Sequence, residues 1–271
     1  MAEPVDPLLP ARLRRLATFT RAEGRIRSAW WRALTRFLDF LRPRVMQPYR
    51  DSGGVVPPQP SYLPDSSMWS NLVDEEVRPV LEETMRTTYR EVGGDSRFSD
   101  DPFVQRYLQD ATARMRNLPI EVYADITRIL SNGLDDGLSV PDIAAQIEQR
   151  LTASGSDYWP NRATTVARTE AIGASNAGAY AAALSDPTPG MSKTWIATMD
   201  TRTRPAHREA DRQAVPVGTP FVVDGQPLDF PGDPRGSAGN VINCRCSLLI
   251  TAPGEELDWT DRQTPERNSN G

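Results

Sequence analysis

The chain has 271 residues, enough for one large or two small domains, and its 38% hydrophobic content with 24 prolines favours modest cores joined by irregular segments. No apolar run reaches the roughly 18 residues needed to cross a bilayer. The start, M-A-E-P-V-D-P, lacks the basic stretch of a signal peptide, so the sequence reads as soluble and made in a cytoplasm.

Charge is spread unevenly about a net −5. Residues 1–50 hold eleven Arg against Glu3, Asp6, Glu23 and Asp39, and a basic segment on an acidic remainder suggests an anionic partner for that segment. Within it, 11–42 has the pattern of a long amphipathic helix: Leu13, Ile26, Trp30, Leu34, Phe37, Leu38 and Leu41 share one face at 100° per residue. Arg14, Arg21, Arg25, Arg32 and Arg36 form a stripe on the opposite face. The stripe reads either as a docking surface for phosphate or an acidic protein, or as an ordinary solvated face. Eight prolines and glycines between Pro43 and Pro64 predict an extended linker over 43–65. With residues 1–42 as a basic arm tethered by that linker, the body is expected to fold without the first 65 residues.

A helical domain is expected over 66–190. Residues 67–92 are helical in pattern, broken or kinked at Pro79 and ended by Gly93 and Gly94. Asp101-Pro102 starts a helix running to about Asn117, and Pro119 opens the next, ending near Gly133. Ser139 caps a helix from about Val140 to Leu151 with Ile143 and Ile147 inward. Residues 159–184 make the longest helix of the body, rich in alanine and glycine in its second half, where small residues let another backbone come close. The period changes at Lys193. K-T-W-I-A-T-M alternates as a strand, Asp224-Gly225 turns between two short strands, and V-I-N-C-R-C-S-L-L-I reads as a strand that places Cys244 and Cys246 on one face. The fold class is α+β: a mainly helical N-terminal and central region, then a small β-rich unit over 191–252 and a polar tail over 253–271.

The stretch from Trp195 to Cys246 holds the single histidine, His207, and both cysteines. Preceded by A-R-T-E at 167–170 and by Asn176, it reads Trp195, then D-x-R-T-R-x-x-H from Asp200 to His207, then Phe221, Gly225, P-G-D-P at 231–234, and I-N-C-R-C from Ile242 to Cys246. This ordered set, covering roughly residues 100–252, resembles the phage Mu F-like head morphogenesis family, the minor head proteins of tailed phages. The resemblance implies a non-enzymatic virion component near the portal that acts in head morphogenesis and DNA packaging or ejection. Its implied partners are portal, major capsid or scaffold protein and packaged double-stranded DNA, with no membrane. It also marks Arg168, Glu170, Asn176, Trp195, Asp200, Arg202, Arg204, Gly225, Asp233, Asn243 and Arg245 as residues of the family pattern.

His207, Cys244 and Cys246 supply three soft ligands for zinc, with Asp200, Asp211 or water as a fourth. Relatives with cysteine where this chain has Arg204 and His207 would have a fuller set, so Arg204 argues against a closed four-ligand site. A hydrogen-bonded packing cluster of buried thiols and one histidine is the reading favoured. A third reading takes a cysteine as nucleophile with His207 as base and Asp200 as orienter, although no protease signature surrounds either cysteine. An enzyme of this kind, a maturation hydrolase or toxin-like effector, is the rival function class. The chain lacks the E-x-E acid pair and the G-x-S-x-G elbow, and G-S-A-G at 236–239 has no following Lys-Ser/Thr for a phosphate loop. The alternating charges at Asp200, Arg202, Arg204, Asp211, Asp233 and Arg245 would then lock loops that lack a large core.

Overall fold

Apolar spacing on the first helix, α1 (Leu9–Asp51), continues past the expected boundary at residue 42. The computed structural model describes residues 9–54, 67–94 and 96–255, and side chains throughout that range except those of 9–16 and 96. Leu13 and Arg14 therefore fall outside the described side chains, and 55–66 and 256–271 outside the description altogether. Pro43 and Pro48 lie inside α1, so the linker expected from residue 43 is helical as far as Asp51. A proline inside a helix costs about 3 kcal/mol. Here Leu41, Val45, Met46 and Tyr49 keep the inward register and are 0–3% exposed. Burial of such side chains contributes about 1.5–3 kcal/mol each, enough to carry the helix through both prolines.

The α1 face does not belong to a separate arm. Ile26, Trp30, Leu34, Phe37, Leu38 and Leu41 join one continuous core that extends through the helical body to Trp195, Cys246 and Leu248. Trp30 packs its ring edge-on against Trp69 at 6.3 Å and tilted against Trp159 at 6.4 Å. The first helix therefore contributes to the same core as the body that the sequence reading expected to fold without it.

After α2 (Ser67–Leu72), a π turn at Val73–Val77 leads into α3 (Arg78–Glu91). Pro79 sits in the first turn of α3. The wider turn before it gives the ring room where a regular helix would clash with the preceding carbonyl. A 3₁₀ turn at Ser96–Asp100 precedes α4 (Pro102–Met115), and Asp101 caps α4 by accepting from the Phe103 N–H at 2.8 Å. Then come α5 (Leu118–Asp135) and α6 (Val140–Arg150), the latter capped by Ser139. Leu118, Val122 and Ile126 are the inward residues of α5, whereas Ile120 faces out.

The axis of the molecule is α7 (Tyr158–Ser185), buried on nearly every side from Ala167 to Ala183. Its small residues permit that. A Cβ at position 178 would lie 2.3 Å from the Met85 carbonyl oxygen, so Gly178 is what lets α3 cross so closely. Gly173 gives the same access to Tyr107 and to the Gly232 carbonyl.

The C-terminal unit packs on α7. In it β1 (Ser192–Ile196) is central to an antiparallel sheet, flanked by β2 (Ala214–Pro216) and β5 (Ser247–Thr251), with Trp195 opposite Leu248. A hairpin joins β3 (Phe221–Val223) to β4 (Gln226–Leu228). Its two-residue turn is Asp224-Gly225, with φ of 51° and 69°, the paired positive values that a tight hairpin needs and that glycine accommodates. Short helices α8 (Pro205–Glu209) and α9 (Ala238–Val241) fill the loops. The fold is α+β, with the strands gathered near the C-terminus. One element differs from expectation: β5 begins at Ser247, so Cys244, Arg245 and Cys246 lie in the turn before the strand rather than on it. Asn243, at φ 56°, makes that turn.

Candidate functional site

His207 rides on α8, which starts at Arg204 and Pro205, where proline's fixed φ suits the first helical turn. The helix carries the imidazole under β1, where the Trp195 ring meets it edge-on at 5.6 Å. Opposite, the turn after α9 brings both cysteines to the same ring nitrogen. His207 Nδ1 lies 3.8 Å from Cys244 Sγ and 3.4 Å from Cys246 Sγ. The cysteines are free thiols, and all three side chains are only 1–2% exposed. His207 Nε2 is buried without a hydrogen-bond partner. The hydrogen bond from Cys246, reinforced by His207, holds the Cys244 thiol well below its ordinary range; sharing that proton and burial push Cys246 up. The two sulfurs thus titrate as a coupled pair.

Around this cluster the family-pattern residues act as ties. Asp200 binds Arg245, the residue between the cysteines, through both carboxylate oxygens, and Arg245 first of all holds its carboxyl well below the usual range. Asp200 also accepts from the Arg202 backbone N–H and the Thr203 hydroxyl, while the Arg202 side chain is exposed. Arg204 donates to the Ile242 carbonyl at 2.5 Å, pinning α8 to the cysteine turn. Neither acid considered as a fourth metal ligand faces the cluster: Asp200 is committed to Arg245, and Asp211 accepts from the Ala197 N–H at 2.8 Å. The Asn243 N–H donates to Thr169 on α7. Buried Asp233 accepts from the Asp229 and Arg235 N–H groups and from the Arg235 guanidinium, closing the loop after β4.

Asn176 joins the two halves of the molecule. Wholly buried on α7, it donates through Nδ2 to the Pro231 and Cys246 carbonyls at 2.9 and 3.0 Å, and its Oδ1 accepts from the Leu248 N–H at 3.0 Å. One turn and a half earlier, Glu170 is buried and paired with Arg114 of α4 at 2.7 Å, and Arg168 reaches Glu23 of α1 at 3.2 Å. Burial pushes the Glu170 carboxyl up against the pull of Arg114.

The arginine stripe is not one continuous open surface. Arg32 binds Glu76, and Arg36 binds Glu75 and Glu76, both acids on the π turn before α3. Arg21 and Arg25 are exposed.

Sequence reasoning missed Lys193, the single lysine of the chain. It is fully buried on β1, donates to the Asp229 carbonyl at 2.8 Å, and lies 4.3 Å from the centre of the Tyr180 ring. One lysine among 30 arginines, in an alternating strand pattern, was the available signal. Burial lowers its pKa to about 8 from 10.5, so in that window the unfolded chain holds the proton that the folded chain has lost. Stability attributable to Lys193 therefore rises with pH between those values. Urea midpoints for the wild type and Lys193→Met across pH 7–10.5 are expected to diverge with that sign; parallel curves would refute it.

Residues 124–249 match the family model described as Phage Mu protein F like protein. That span contains the histidine–cysteine cluster, Asn176 and all the ties between them. Residues 124–249 belong to the Mu F-like family. Part of this chain is 30% identical over 138 residues to Minor head protein GP7 of Bacillus phage SPP1, covering 50% of this chain and 43% of that one. It is 28% identical over 134 residues to NAD(+)--arginine ADP-ribosyltransferase EFV of Enterococcus faecalis, covering 49% and 27%. It is also 23% identical over 207 residues to the uncharacterized protein YqbB of Bacillus subtilis, covering 71% and 66%. The chain thus spans between about a quarter and two thirds of the length of these curated relatives. No solved structure matches it. Among the described residues, no helix is long and apolar enough to cross a membrane.

Proposed function

We propose that this chain is a minor head protein of a tailed bacteriophage, a non-enzymatic virion component acting in head morphogenesis and in DNA packaging or ejection near the portal. The observation that carries this reading is the Mu F-like match over residues 124–249, together with similarity to a protein named as a minor head protein. The geometry supports it: the family-pattern polar residues bind one another and the backbone, which is what a shape-holding module needs. Its partners are portal, major capsid or scaffold protein, with packaged double-stranded DNA as a further one. The exposed part of the basic face, including Arg21 and Arg25, is the surface offered to them.

The test is placement and contact. Tagged chain in purified virions is expected at the portal vertex, and absence from purified virions would remove the reading. Arg14→Gln, Arg21→Gln and Arg25→Gln together are expected to lower incorporation into heads. If DNA is a partner, the slope of log K against log salt should fall by about 0.9 for each lost phosphate contact. Unchanged incorporation and unchanged DNA binding would make the stripe an ordinary solvated face.

One observation favours a second reading, an enzyme: the similarity to a protein named as an NAD(+)–arginine ADP-ribosyltransferase, about a quarter of which this chain spans. Purified chain given NAD⁺ and an arginine-containing acceptor protein is expected to release no nicotinamide. Sustained turnover would replace the head-protein reading.

A further inference from the structure

Two thiols converge on one imidazole nitrogen, each within hydrogen-bond distance of it for a sulfur partner. His207 Nδ1 carries either a single proton or a single lone pair, so it makes one good hydrogen bond. Yet Cys244 Sγ and Cys246 Sγ both stand near it, at 3.8 and 3.4 Å, and the three donor atoms lie within 4.8 Å of one another. A shared cation accounts for the convergence. Zinc–sulfur bonds of about 2.3 Å and a zinc–nitrogen bond of about 2.0–2.1 Å at the tetrahedral angle put sulfur and nitrogen about 3.6 Å apart. The two distances straddle that value.

We infer that His207 Nδ1, Cys244 Sγ and Cys246 Sγ form a structural zinc site that pins α8 to the turn before β5. Two thiolates cancel the charge of one divalent ion, so the site adds no net charge to a core where an uncompensated charge would be expensive. On binding, the metal replaces the two thiol protons, which leave to solvent. The chain has no other histidine or cysteine, and the remaining position of a tetrahedral ion falls to an oxygen, with water as the simplest donor. The 1–2% exposure of all three side chains leaves a substrate no approach, which sets this site apart from a catalytic one. Trp195, edge-on to the imidazole, holds the ring in its ligating orientation, and the Asp200–Arg245 pair fixes the residue between the two sulfurs. The site does not depend on the chain being a head protein.

The test uses the full chain, purified reduced from zinc-supplemented medium. Elemental analysis is expected to give about one zinc per chain. Stripping with a chelator should lower the thermal midpoint and expose two thiols to a disulfide reagent, and adding Zn²⁺ should reverse both. Cobalt(II) added to the stripped protein should give near-ultraviolet thiolate-to-metal absorption, which Zn²⁺ then displaces. In Cys244→Ser and Cys246→Ser, metal affinity should drop by more than the about 10–100-fold typical of losing an outer-shell partner. Reduced wild-type protein that keeps no zinc and gives no cobalt–thiolate absorption would overturn the site. So would a Cys244→Ala/Cys246→Ala double variant that retains zinc at the same stoichiometry. The cobalt and thiol measurements use wild-type protein, so the conclusion survives a variant that fails to fold.

Discussion

A chain that begins at residue 67 is expected to lose cooperative unfolding altogether. The deletion removes α1, and with it Ile26, Trp30, Leu34, Phe37, Leu38, Leu41, Val45 and Tyr49, each 0–2% exposed. At about 1.5–3 kcal/mol for each side chain, the lost burial is as large as or larger than the about 5–15 kcal/mol by which a whole domain is stable. The deletion also uncovers Trp69 and Trp159, which pack on Trp30, and strips Arg168 of Glu23. The measurement is a thermal or urea transition followed by far-ultraviolet circular dichroism at residues 67–255 against the full chain. A sharp transition in the shortened chain would show that the body closes its core without α1. A milder variant reports on the same contact: Trp30→Ala is expected to cost about 3–5 kcal/mol, the usual range for removing a buried aromatic.

The packing of α1 into the core changes what the basic stripe is. On a tethered arm, arginines would search for a partner through linker motion. On α1 they stand on a rigid helix whose other face is core, so any partner meets a fixed array. Two of the five, Arg32 and Arg36, are already matched by Glu75 and Glu76. Exposed pairs of this kind contribute under about 1 kcal/mol, so they are easily exchanged for a partner's acids or phosphates. The acidic balance of the chain outside residues 1–50 thus acts in part as an internal counterion to the stripe.

The sequence was most legible where structure is decided locally. Asp101-Pro102 and Ser139 cap the helices they were expected to cap, and Asp224-Gly225 turns the hairpin, because each of these signals acts within a few residues. It was least legible where distant chain decides. Pro43 and Pro48 are strong local breakers, and only the burial of Val45, Met46 and Tyr49 against the rest of the body overrides them. The alternation from Val241 to Ile250 suggested a strand, but Asn243 takes a left-handed conformation and its N–H is held by Thr169, so the cysteines enter on a turn. In the candidate site, the ordered residues from Trp195 to Cys246 were visible as a set. Their partners were not: nothing near Glu170 in sequence points to Arg114, and nothing near Arg168 points to Glu23. Asn176 did carry a signal, since it is the one amide within a run of alanine and glycine. An amide there, on a helix with apolar or small neighbours all round, has to find its partners on another element.

Replacing that amide should be the most damaging single substitution in the Mu F-like module. Asn176→Ala leaves the Pro231 and Cys246 carbonyls and the Leu248 N–H without their partner, all in a buried site. Each stranded group costs about 1–3 kcal/mol, so the variant is expected to lose about 3–6 kcal/mol after partial relaxation. Asn176→Asp should do no better. Its carboxylate can still accept from Leu248, but ionised it has no proton for the two carbonyls and would turn negative charge toward them. The loss should also be directional. Cys246 and Leu248 flank the start of β5, so this strand should loosen from α7 before the helical body opens. Hydrogen exchange is expected to show the Leu248 amide and its β5 neighbours losing protection in Asn176→Ala under conditions where α3 and the centre of α7 keep theirs. A urea midpoint shift worth under about 1 kcal/mol, the net contribution of one ordinary hydrogen bond, would mean that water replaces the amide and that α7 and the C-terminal unit are held together by apolar packing alone.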